Sequence, residues 1–508
     1  MNQRFRRLAL FLLIMLVALT GCQAIGGFDI NKALMNNLKP ISSESKEKLT
    51  IEIVPSAGNL SEEDKAAIEL INSLSLTLDS VKMQDQKTAS VKGSLAIKDV
   101  KLPFLLSIDK EGIAVKIEGA KQPIYISLDS YYSEAYYGML DMSLFESEAQ
   151  DFSYKALELL LKHAPNPANI SVKQVEELVN GEKLNLTQLH LELNGEDLLS
   201  LAKPFLSSLV KDEQGIKELI GAYYDMFYPM MEAMYESYDL EGSDDYDFPQ
   251  ESREEIISEF YKSIQEELTE LVNNYDTTVS RLMVDSPEFK TALGKNTVLK
   301  LDLFFDSKLN IRKQLLDLKI AIDPSEDMPI QAIKAKYDRE VWNVGGSVKA
   351  DKVDTSAGVL DVIEDQVTPG KLLRNFEAVP SLHKLLKDDL KITEKTVYLD
   401  PQNDYYGIIT KQNTSFAPLR YIAEELDAEV KWVKGSKQIT IIDDITGEKI
   451  VLTVGSNKAS VNGKAVNLTQ APFVYKDGTT YVPLRFIAES LGADVDFDDY
   501  GWITIERD

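Results

Sequence analysis

The C-terminal part of the chain uses one short pattern twice, and this repeat constrains the fold more than any other feature of the sequence. Residues 417–432 read APLRYIAEELDAEVKW, and residues 482–497, sixty-five positions later, read VPLRFIAESLGADVDF. In both copies the apolar residues after the proline recur at i, i+3, i+4 and i+7. This spacing places them on one side of a short helix. The repeat therefore predicts two equivalent helices, each followed by a strand, packed on a strand-rich module.

Conformationally special residues mark the ends of these helices. Pro418 and Pro483 suit the first helical turn, where the missing N–H costs nothing. Gly492 suits a left-handed end of the second helix. Asp427 stands at the same place in the first copy, and aspartate tolerates a left-handed backbone less well than glycine does. The first helix is therefore expected to end differently from the second.

Each repeated helix also carries an arginine in its first turn and a glutamate four residues later. These are Arg420 with Glu424 and Arg485 with Glu489. One interpretation is an i,i+4 ion pair that stabilises the helix by about 0.2–0.5 kcal/mol. The other is an anchor for a carboxylate or a backbone carbonyl, either in an adjoining strand or in a ligand. The sequence favours a structural role.

Hairpin signals surround the two helices. Asn462-Gly463 and Asp477-Gly478 each separate two short alternating segments, as tight hairpins do. The segment from about Glu394 to Asp508 resembles the copper amine oxidase N-terminal-like domain of bacterial envelope proteins, through the two repeat copies and the motifs ASVNGKAV and WITI. That resemblance implies a non-catalytic stalk domain, remote from the metal and the quinone of the oxidases.

The remainder of the sequence gives no sign of an oxidase site. The tripeptide Asn-Tyr-Asp at 274–276 resembles the cofactor-forming motif of the oxidases, but Leu271 stands where that motif has threonine. The three histidines, His163, His190 and His383, are far apart, whereas the copper site needs a His-x-His pair. We therefore predict no catalytic residue, no metal and no cofactor.

The N-terminus has the pattern of an export signal. Three arginines precede an apolar run from Leu8 to Leu19, which is too short to span a bilayer comfortably. The run ends in Leu19-Thr20-Gly21-Cys22, which resembles the lipobox of bacterial lipoproteins, and Cys22 is the only cysteine. The resemblance implies diacylation of Cys22 and anchorage to the cell membrane from the extracytoplasmic side. The alternative is an ordinary signal peptide that ends near a cysteine.

Length and charge limit the remaining possibilities. A chain of 508 residues is too long for one core. Its formal net charge of −27 argues against a nucleic-acid partner. The pattern predicts an α+β protein with a signal peptide at 1–21, a tether at 22–45, an N-terminal domain at 46–352, a helical connector at 353–393 and the repeat domain at 394–508.

The N-terminal domain is predicted as an antiparallel β-meander with inserted helices, and the pattern turns helical from Ala149 to Glu182. By pattern alone, without a shared motif, it resembles the LolA/LppX type of lipid-binding lipoprotein. Two tracts rich in aromatics and methionine are interpreted either as core filler or as the lining of a hydrophobic-ligand cavity. The methionines concerned are Met139, Met142, Met226, Met230, Met231 and Met234.

Three functions follow as hypotheses. The first is a lipid-anchored, non-catalytic binding or scaffolding protein of the cell envelope, which contacts the membrane through diacylglycerol on Cys22 and contacts a cell-wall polymer or an envelope protein. The second is a carrier of a lipid or another hydrophobic ligand in the N-terminal domain. The third is an unrecognised hydrolase, since 82 acidic residues guarantee accidental carboxylate pairs.

Overall fold

The computed structural model of the protein describes residues 25–39, 41–58, 60–128, 142–239, 252–325, 328–365, 367–401, 403, 407–432, 435–498 and 501–507. The predicted signal peptide and the lipobox residues Leu19, Thr20, Gly21 and Cys22 lie outside these residues. The chain forms two compact units. The first comprises the residues up to Val115 together with Ser127–Val353, and the second comprises Lys116–Ile126 together with Asp354–Asp508.

The described residues contain both helices and strands in quantity, so the predicted α+β class is confirmed. The strands are β1 (Ser43–Pro55), β2 (Ser75–Met83), β3 (Ala89–Ile97), β4 (Val100–Ile108), β5 (Gly112–Ile117), β6 (Ile124–Ser127), β7 (Ile170–Val179), β8 (Glu182–Asn194), β9 (Val298–Phe305), β10 (Ile311–Ala321), β11 (Ile330–Trp342), β12 (Leu360–Asp361), β13 (Lys395–Leu399), β14 (Ile409–Lys411), β15 (Thr414–Pro418), β16 (Ala428–Trp432), β17 (Gln438–Asp443), β18 (Lys449–Thr453), β19 (Lys458–Val461), β20 (Lys464–Asn467), β21 (Phe473–Val474), β22 (Thr480–Pro483), β23 (Ala493–Phe497) and β24 (Ile503–Arg507).

The helices alternate with these strands along the chain. They are α1 (Ile30–Asn36), α2 (Glu62–Asn72), α3 (Met142–His163), α4 (Gly195–Leu209), α5 (Glu213–Asp239), α6 (Arg253–Asp285), α7 (Pro287–Ala292), α8 (Pro369–Asn375), α9 (Pro380–Lys384), α10 (Leu419–Glu425) and α11 (Leu484–Ser490). A short π-helical turn, Leu385–Asp389, follows α9.

The first unit is built on one long sheet in the order β5-β4-β3-β2-β1-β11-β10-β9-β8-β7. Neighbouring strands from β4 to β7 run antiparallel. The meander β1–β5 forms one half, and β7–β11 forms the other. The two halves join where β1 pairs with β11 along almost their whole length. The predicted meander therefore continues into a sheet that the later strands complete.

One stretch differs from the prediction of helix between Ala149 and Glu182. Helix α3 ends at His163, and residues 170–179 form β7, which pairs with β8 over its full length. Asn180 and Gly181 connect the two strands with φ values of 48° and 81°. Positive φ at both positions matches the tight turn whose twist suits a hairpin. The helical prediction is wrong here because ten cross-strand pairs outweigh the modest helix propensity of the segment.

The segment interpreted as a tether contains a docked helix. Asp29 caps α1 by accepting a hydrogen bond from Lys32 N at 2.9 Å. Ile30 and Ala33 are fully buried in a cluster with Phe305 at the end of β9. Packing of this kind fixes the chain to the sheet within a few residues of position 25.

The second unit contains the repeat, and its two copies are related by an approximate twofold axis. Strands β15 and β22 pair Phe416 with Pro483, Ala417 with Val482, and Pro418 with Tyr481. Exchange of the two copies maps this ladder onto itself: Ala417 and Val482 are equivalent to each other, and the pair Phe416–Pro483 is equivalent to the pair Tyr481–Pro418. Helices α10 and α11 follow the two strands and share one core, as the sequence predicts.

Both repeated helices end in the same way. Asp427 has φ of 51°, and Gly492, at the equivalent position, has φ of 77°. The expectation that the first helix ends differently is therefore wrong. Asp427 accepts the left-handed conformation with its carboxylate Oδ1 placed 3.0 Å from Lys395 Nζ, while Oδ2 is buried without a hydrogen-bond partner. The ion pair offsets part of the backbone strain.

A buried ion pair joins the two copies. Asp443 ends β17, Arg507 ends β24, and these are equivalent positions of the two hairpins that follow the repeated helices. Arg507 Nη2 donates to Asp443 Oδ1 at 2.7 Å, and both side chains are almost fully buried. Arg507 also donates to the carbonyl of Leu426 at the end of α10. One guanidinium thus satisfies a carboxylate and a helix end that water does not reach.

The second unit also includes residues 116–126, which begin at the end of β5. Strand β6 pairs in parallel with β12. The Asn375 amide at the end of α8 accepts from Gln122 N at 2.9 Å and donates to Gln122 O at 3.0 Å. Residues 116–126 are therefore fixed to the segment predicted as a connector.

Candidate ligand-binding face

Alternate residues of β1–β4 form a surface of apolar side chains, here called the apolar face. The registers place these residues opposite one another on the same side of the sheet. They are Leu49, Ile51 and Ile53 of β1, Leu76, Leu78, Val81 and Met83 of β2, Val91 and Leu95 of β3, and Leu102, Phe104, Leu106 and Ile108 of β4. Leu102 is buried, Ile51 is 39% exposed, and the others are half-buried.

The opposite side of the same strands is polar. Lys46 Nζ lies 3.1 Å from Glu340, and Lys334 Nζ lies 2.8 Å from Glu52, in each case between β1 and β11. On β3 and β4 the polar side is covered instead, since Ser90 and Ser107 are buried and accept hydrogen bonds from Asp351 N and Val353 N. The sheet is therefore amphipathic. Its strand registers are fixed by this alternation, because a shift of one residue would move the apolar side chains of a strand to the polar side.

The apolar face continues onto β8–β10, where helices cover it. Leu191, Leu193 and Leu299 pack against Leu198 of α4 and Tyr275 of α6. Helix α1 covers the adjoining region near Leu303. In this half of the sheet the face is the hydrophobic core of the unit: Leu191, Leu193 and Leu299 are buried, while Leu301, Leu316 and Leu318 pack against them half-buried.

A polar cluster interrupts the apolar face where β1 meets β11. Its members are Ser45, Glu47, Tyr337 and Arg339. Glu47 Oε1 accepts from Ser45 Oγ at 2.8 Å, and Glu47 Oε2 accepts from the Tyr337 hydroxyl at 2.7 Å. Arg339 Nε lies 3.1 Å from Glu47 Oε1. Burial, with the Glu47 carboxylate beside it, raises the pKa of Tyr337, so the phenol remains a hydrogen-bond donor at neutral pH.

A cleft of about 510 Å³ lies beside the C-terminal end of β1 and is lined in part by Pro55, Leu60 and Ile68. Helix α2 forms its wall, since the Asn72 amide donates to Ile53 O and accepts from Ile53 N. The volume falls within the range of small-molecule sites.

The methionines singled out as ligand lining fall at different places. Met226 is buried, and Met231, one turn further along α5, is 39% exposed. Met139 lies outside the described residues, as do the side chains of Met142, Met230 and Met234. The described part of the tract forms an aromatic row, in which Tyr223 lies 4.6 Å from Phe227 between ring centroids.

A serine, a histidine and an aspartate that the sequence did not connect are aligned between α3, α4 and α5. His163 Nδ1 lies 2.8 Å from Ser208 Oγ, and His163 Nε2 lies 2.7 Å from Asp212 Oδ2. Asp212 also accepts from Lys162 Nζ at 2.6 Å and from Gly215 N at 3.1 Å. The Lys162 hydrogen bond, ahead of that from His163, lowers the pKa of Asp212 to about 2. Because this carboxylate accepts hydrogen bonds from three donors, we interpret the group as a structural hydrogen-bond cluster that joins the end of α3 to the start of α5.

The polar residues of the repeat form exposed pairs. Arg420 Nη1 lies 3.2 Å from Glu424 Oε1, and Arg485 Nη1 lies 3.3 Å from Glu489 Oε1. The Arg485 guanidinium also lies 5.4 Å from the Phe497 ring centroid. Pairs of this kind contribute about 0.3–0.5 kcal/mol to stability. Pro418 and Pro483 stand just before the two helices, as their N-caps.

Metal ligands are not grouped in the part of the chain that the structure describes: no three His, Cys, Asp or Glu side chains there lie close enough to hold an ion. Tyr275, the centre of the oxidase-like tripeptide, is buried within α6, and its hydroxyl donates to Leu199 O at 2.9 Å. None of the described helices is long and apolar enough to cross a bilayer.

Comparison with known families finds a similarity in the C-terminal part of the chain. Residues 401–505 match the family model of the copper amine oxidase N-terminal domain. The match covers the repeat and its hairpins, so the predicted resemblance of this segment is supported. That domain is non-catalytic in itself. No curated protein matches the chain.

Proposed function

We propose that the protein is an exported, lipid-anchored binding protein of the cell envelope, and that the apolar face of its first unit holds a lipid or another hydrophobic ligand. The observation that carries the proposal is the state of that face on β1–β4, half-buried with Ile51 39% exposed, next to a half of the sheet where helices cover the same face and bury Leu191, Leu193 and Leu299. Apolar surface that keeps access to water favours association with an apolar partner by about 25 cal/mol per Å².

The N-terminal sequence supports the location. The lipobox-like residues before Cys22 imply a diacyl anchor, and two chains hold a protein stably on a bilayer. Helix α1 begins only eight residues after Cys22. A protein anchored in this way would keep its sheet near the membrane, where apolar ligands are abundant.

The test is ligand binding by the chain without residues 1–22. Native mass spectrometry of gently purified protein should give an adduct of lipid mass, and N-phenyl-1-naphthylamine should fluoresce on binding. Val91→Gln places an amide on the apolar face and should weaken binding of this probe. Lys92→Gln, the matched control, changes the adjacent residue on the polar side and should leave binding unchanged. Absence of both adduct and probe binding would contradict the proposal.

A second function is favoured by the exposed aromatic residues of the second unit. Tyr398 of β13 pairs with Thr504 of β24 and is 59% exposed, and Trp502, two residues before Thr504, is 41% exposed. Flat aromatic side chains with polar edges suit contact with a sugar polymer or a protein. We infer that this surface binds a cell-wall polymer. Co-sedimentation with purified sacculi that survives the double change Tyr398→Ala and Trp502→Ala would refute this second function.

A further inference from the structure

The polar cluster defined above lies within an otherwise apolar surface. Glu47 is opposite Arg339, and Leu49 is opposite Tyr337, so Glu47, Arg339 and Tyr337 share the side of the sheet that carries the apolar face. A charged pair placed there costs desolvation free energy that an apolar pair would not. The hydrogen bonds that Glu47 and Arg339 make within the protein show which of their polar atoms are available to a ligand.

The Glu47 carboxylate is engaged within the protein. Both oxygens accept hydrogen bonds, from Ser45 and from Tyr337, and Oε1 also faces Arg339 Nε. Ser45 is buried, and only 16% of the Glu47 side chain is exposed, so access of a ligand to this carboxylate is limited.

The Arg339 guanidinium is not fully used. Its Nε is buried at 3.1 Å from Glu47 but lacks hydrogen-bond geometry. No acceptor among the described residues takes a hydrogen bond from its terminal nitrogens, and 32% of the side chain is exposed. Arg312, on the neighbouring strand β10, is already engaged by Val341 O and Asp306. The cluster therefore presents spare donors beside an apolar surface.

We propose that Arg339 binds the anionic head group of an amphiphile, a carboxylate or a phosphate, while the acyl chain lies along the apolar face. This inference rests on the proposed function. A guanidinium matches both oxyanions through paired N–H donors. The protein carries a formal net charge of −27, and a local guanidinium offsets the repulsion that an anionic amphiphile would meet.

The experiment uses probes of equal chain length with the chain lacking residues 1–22. Dodecanoate, dodecyl phosphate and dodecanol compete with N-phenyl-1-naphthylamine below their aggregation concentrations. The anionic probes should compete about 10–100-fold better than dodecanol, the value of a charge-assisted hydrogen bond. Arg339→Gln should remove that difference and leave dodecanol unchanged. Arg281→Gln, the same charge change on an exposed position of α6, should have no effect.

The outcomes separate the two proposals. Equal competition by all three probes, or an anionic preference that survives Arg339→Gln, overturns the head-group assignment and leaves the carrier function standing. Failure of every probe to bind overturns both. If Arg339→Gln destabilises the fold by leaving Glu47 unpaired, the double variant Glu47→Gln/Arg339→Gln keeps the Ser45 and Tyr337 hydrogen bonds without a lone charge and gives the same test. A preference for dodecanoate or for dodecyl phosphate distinguishes a fatty acid from a phospholipid source.

Discussion

Replacing Arg507 with methionine removes one partner of the buried ion pair that joins the two copies of the repeat. The side chains of Arg507 and Asp443 are only 3% and 4% exposed. Methionine fills much of the same volume but leaves the Asp443 carboxylate and the Leu426 carbonyl without the guanidinium. Asp443 retains hydrogen bonds from Ile445 N and Thr446 Oγ1, which compensate only part of its charge.

The expected loss follows from these contacts. Removing one partner of a buried pair costs about 3–5 kcal/mol, because the other charge remains buried. The unsatisfied helix-end carbonyl adds roughly 1 kcal/mol. For a unit of this size each 1 kcal/mol lowers the melting temperature by about 2–4 °C, so a total loss of about 4–6 kcal/mol corresponds to roughly 8–24 °C.

Tryptophan fluorescence can follow this unit within the whole chain. Trp432 and Trp502 belong to the second unit, and the third tryptophan, Trp342, belongs to the first. In a Trp342→Phe background the fluorescence change on heating or in urea therefore reports the second unit alone. The protein without residues 1–22 serves for all variants.

Two further variants decide whether the ion pair is the cause. Asp443→Asn combined with Arg507→Met should recover a large part of the lost stability, since no lone charge remains. Arg485→Met breaks an exposed pair and should change stability by at most about 0.5 kcal/mol. If Arg507→Met is no worse than Arg485→Met, the argument from burial is refuted.

Three other substitutions test the carboxylates. The pKa of Asp212 in the folded protein, about 2, lies below its usual 3.8, so its stabilisation is present above pH 4 and is lost as the pH falls toward 2. Asp212→Asn should therefore cost roughly 1–2 kcal/mol at pH 7 and little at pH 2, measured by urea unfolding followed through Trp342 fluorescence. Burial raises the pKa of Asp444, so ionisation of this group destabilises the fold as the pH rises through 3.8. Asp444→Asn should accordingly stabilise the second unit more at pH 7 than at pH 3; an equal effect at both would contradict this. Asp427→Gly relieves a positive φ and removes a buried oxygen without a partner, but it also removes the ion pair with Lys395; because Lys395 remains 31% exposed to water, we expect a net gain in stability of at most about 1 kcal/mol in the same assay.

Local signals were sufficient for the second unit and for the meander. The repeat spacing gave both helices, and Asn462-Gly463 gave the hairpin between β19 and β20, with φ of 51° and 78°. The same dipeptide at Asn180-Gly181 marks the β7–β8 hairpin within the segment predicted as helix. At Asn194-Gly195 it instead caps α4, through hydrogen bonds from Glu196 N and Asp197 N. The Asn-Gly dipeptide therefore marks the end of a strand, and tertiary pairing decides whether a hairpin or a helix follows.

The candidate site could not be predicted from the sequence alone. Glu47 and Arg339 are 292 positions apart and meet only because β1 and β11 close the sheet. Each residue falls on the inward side of a strand whose other inward residues are apolar, and this exception to alternation is the signal that could have singled them out. Their shared register could not be known without the pairing of the two halves. The Asp443–Arg507 pair was hidden for the same reason.

The approximate symmetry of the second unit has a consequence for contacts between molecules. Two chains that met through their first copies would build the same ladder between molecules, but each Asp443 would then face another Asp443 in a place that water does not reach. Second copies would oppose Arg507 to Arg507. The charges are neutralised only when a first copy pairs with a second copy, which brings Asp443 to Arg507. Within one chain the second copy has the highest effective concentration, so this pairing is favoured inside the molecule. The unequal charges at equivalent positions therefore direct the duplicated halves to assemble within one molecule.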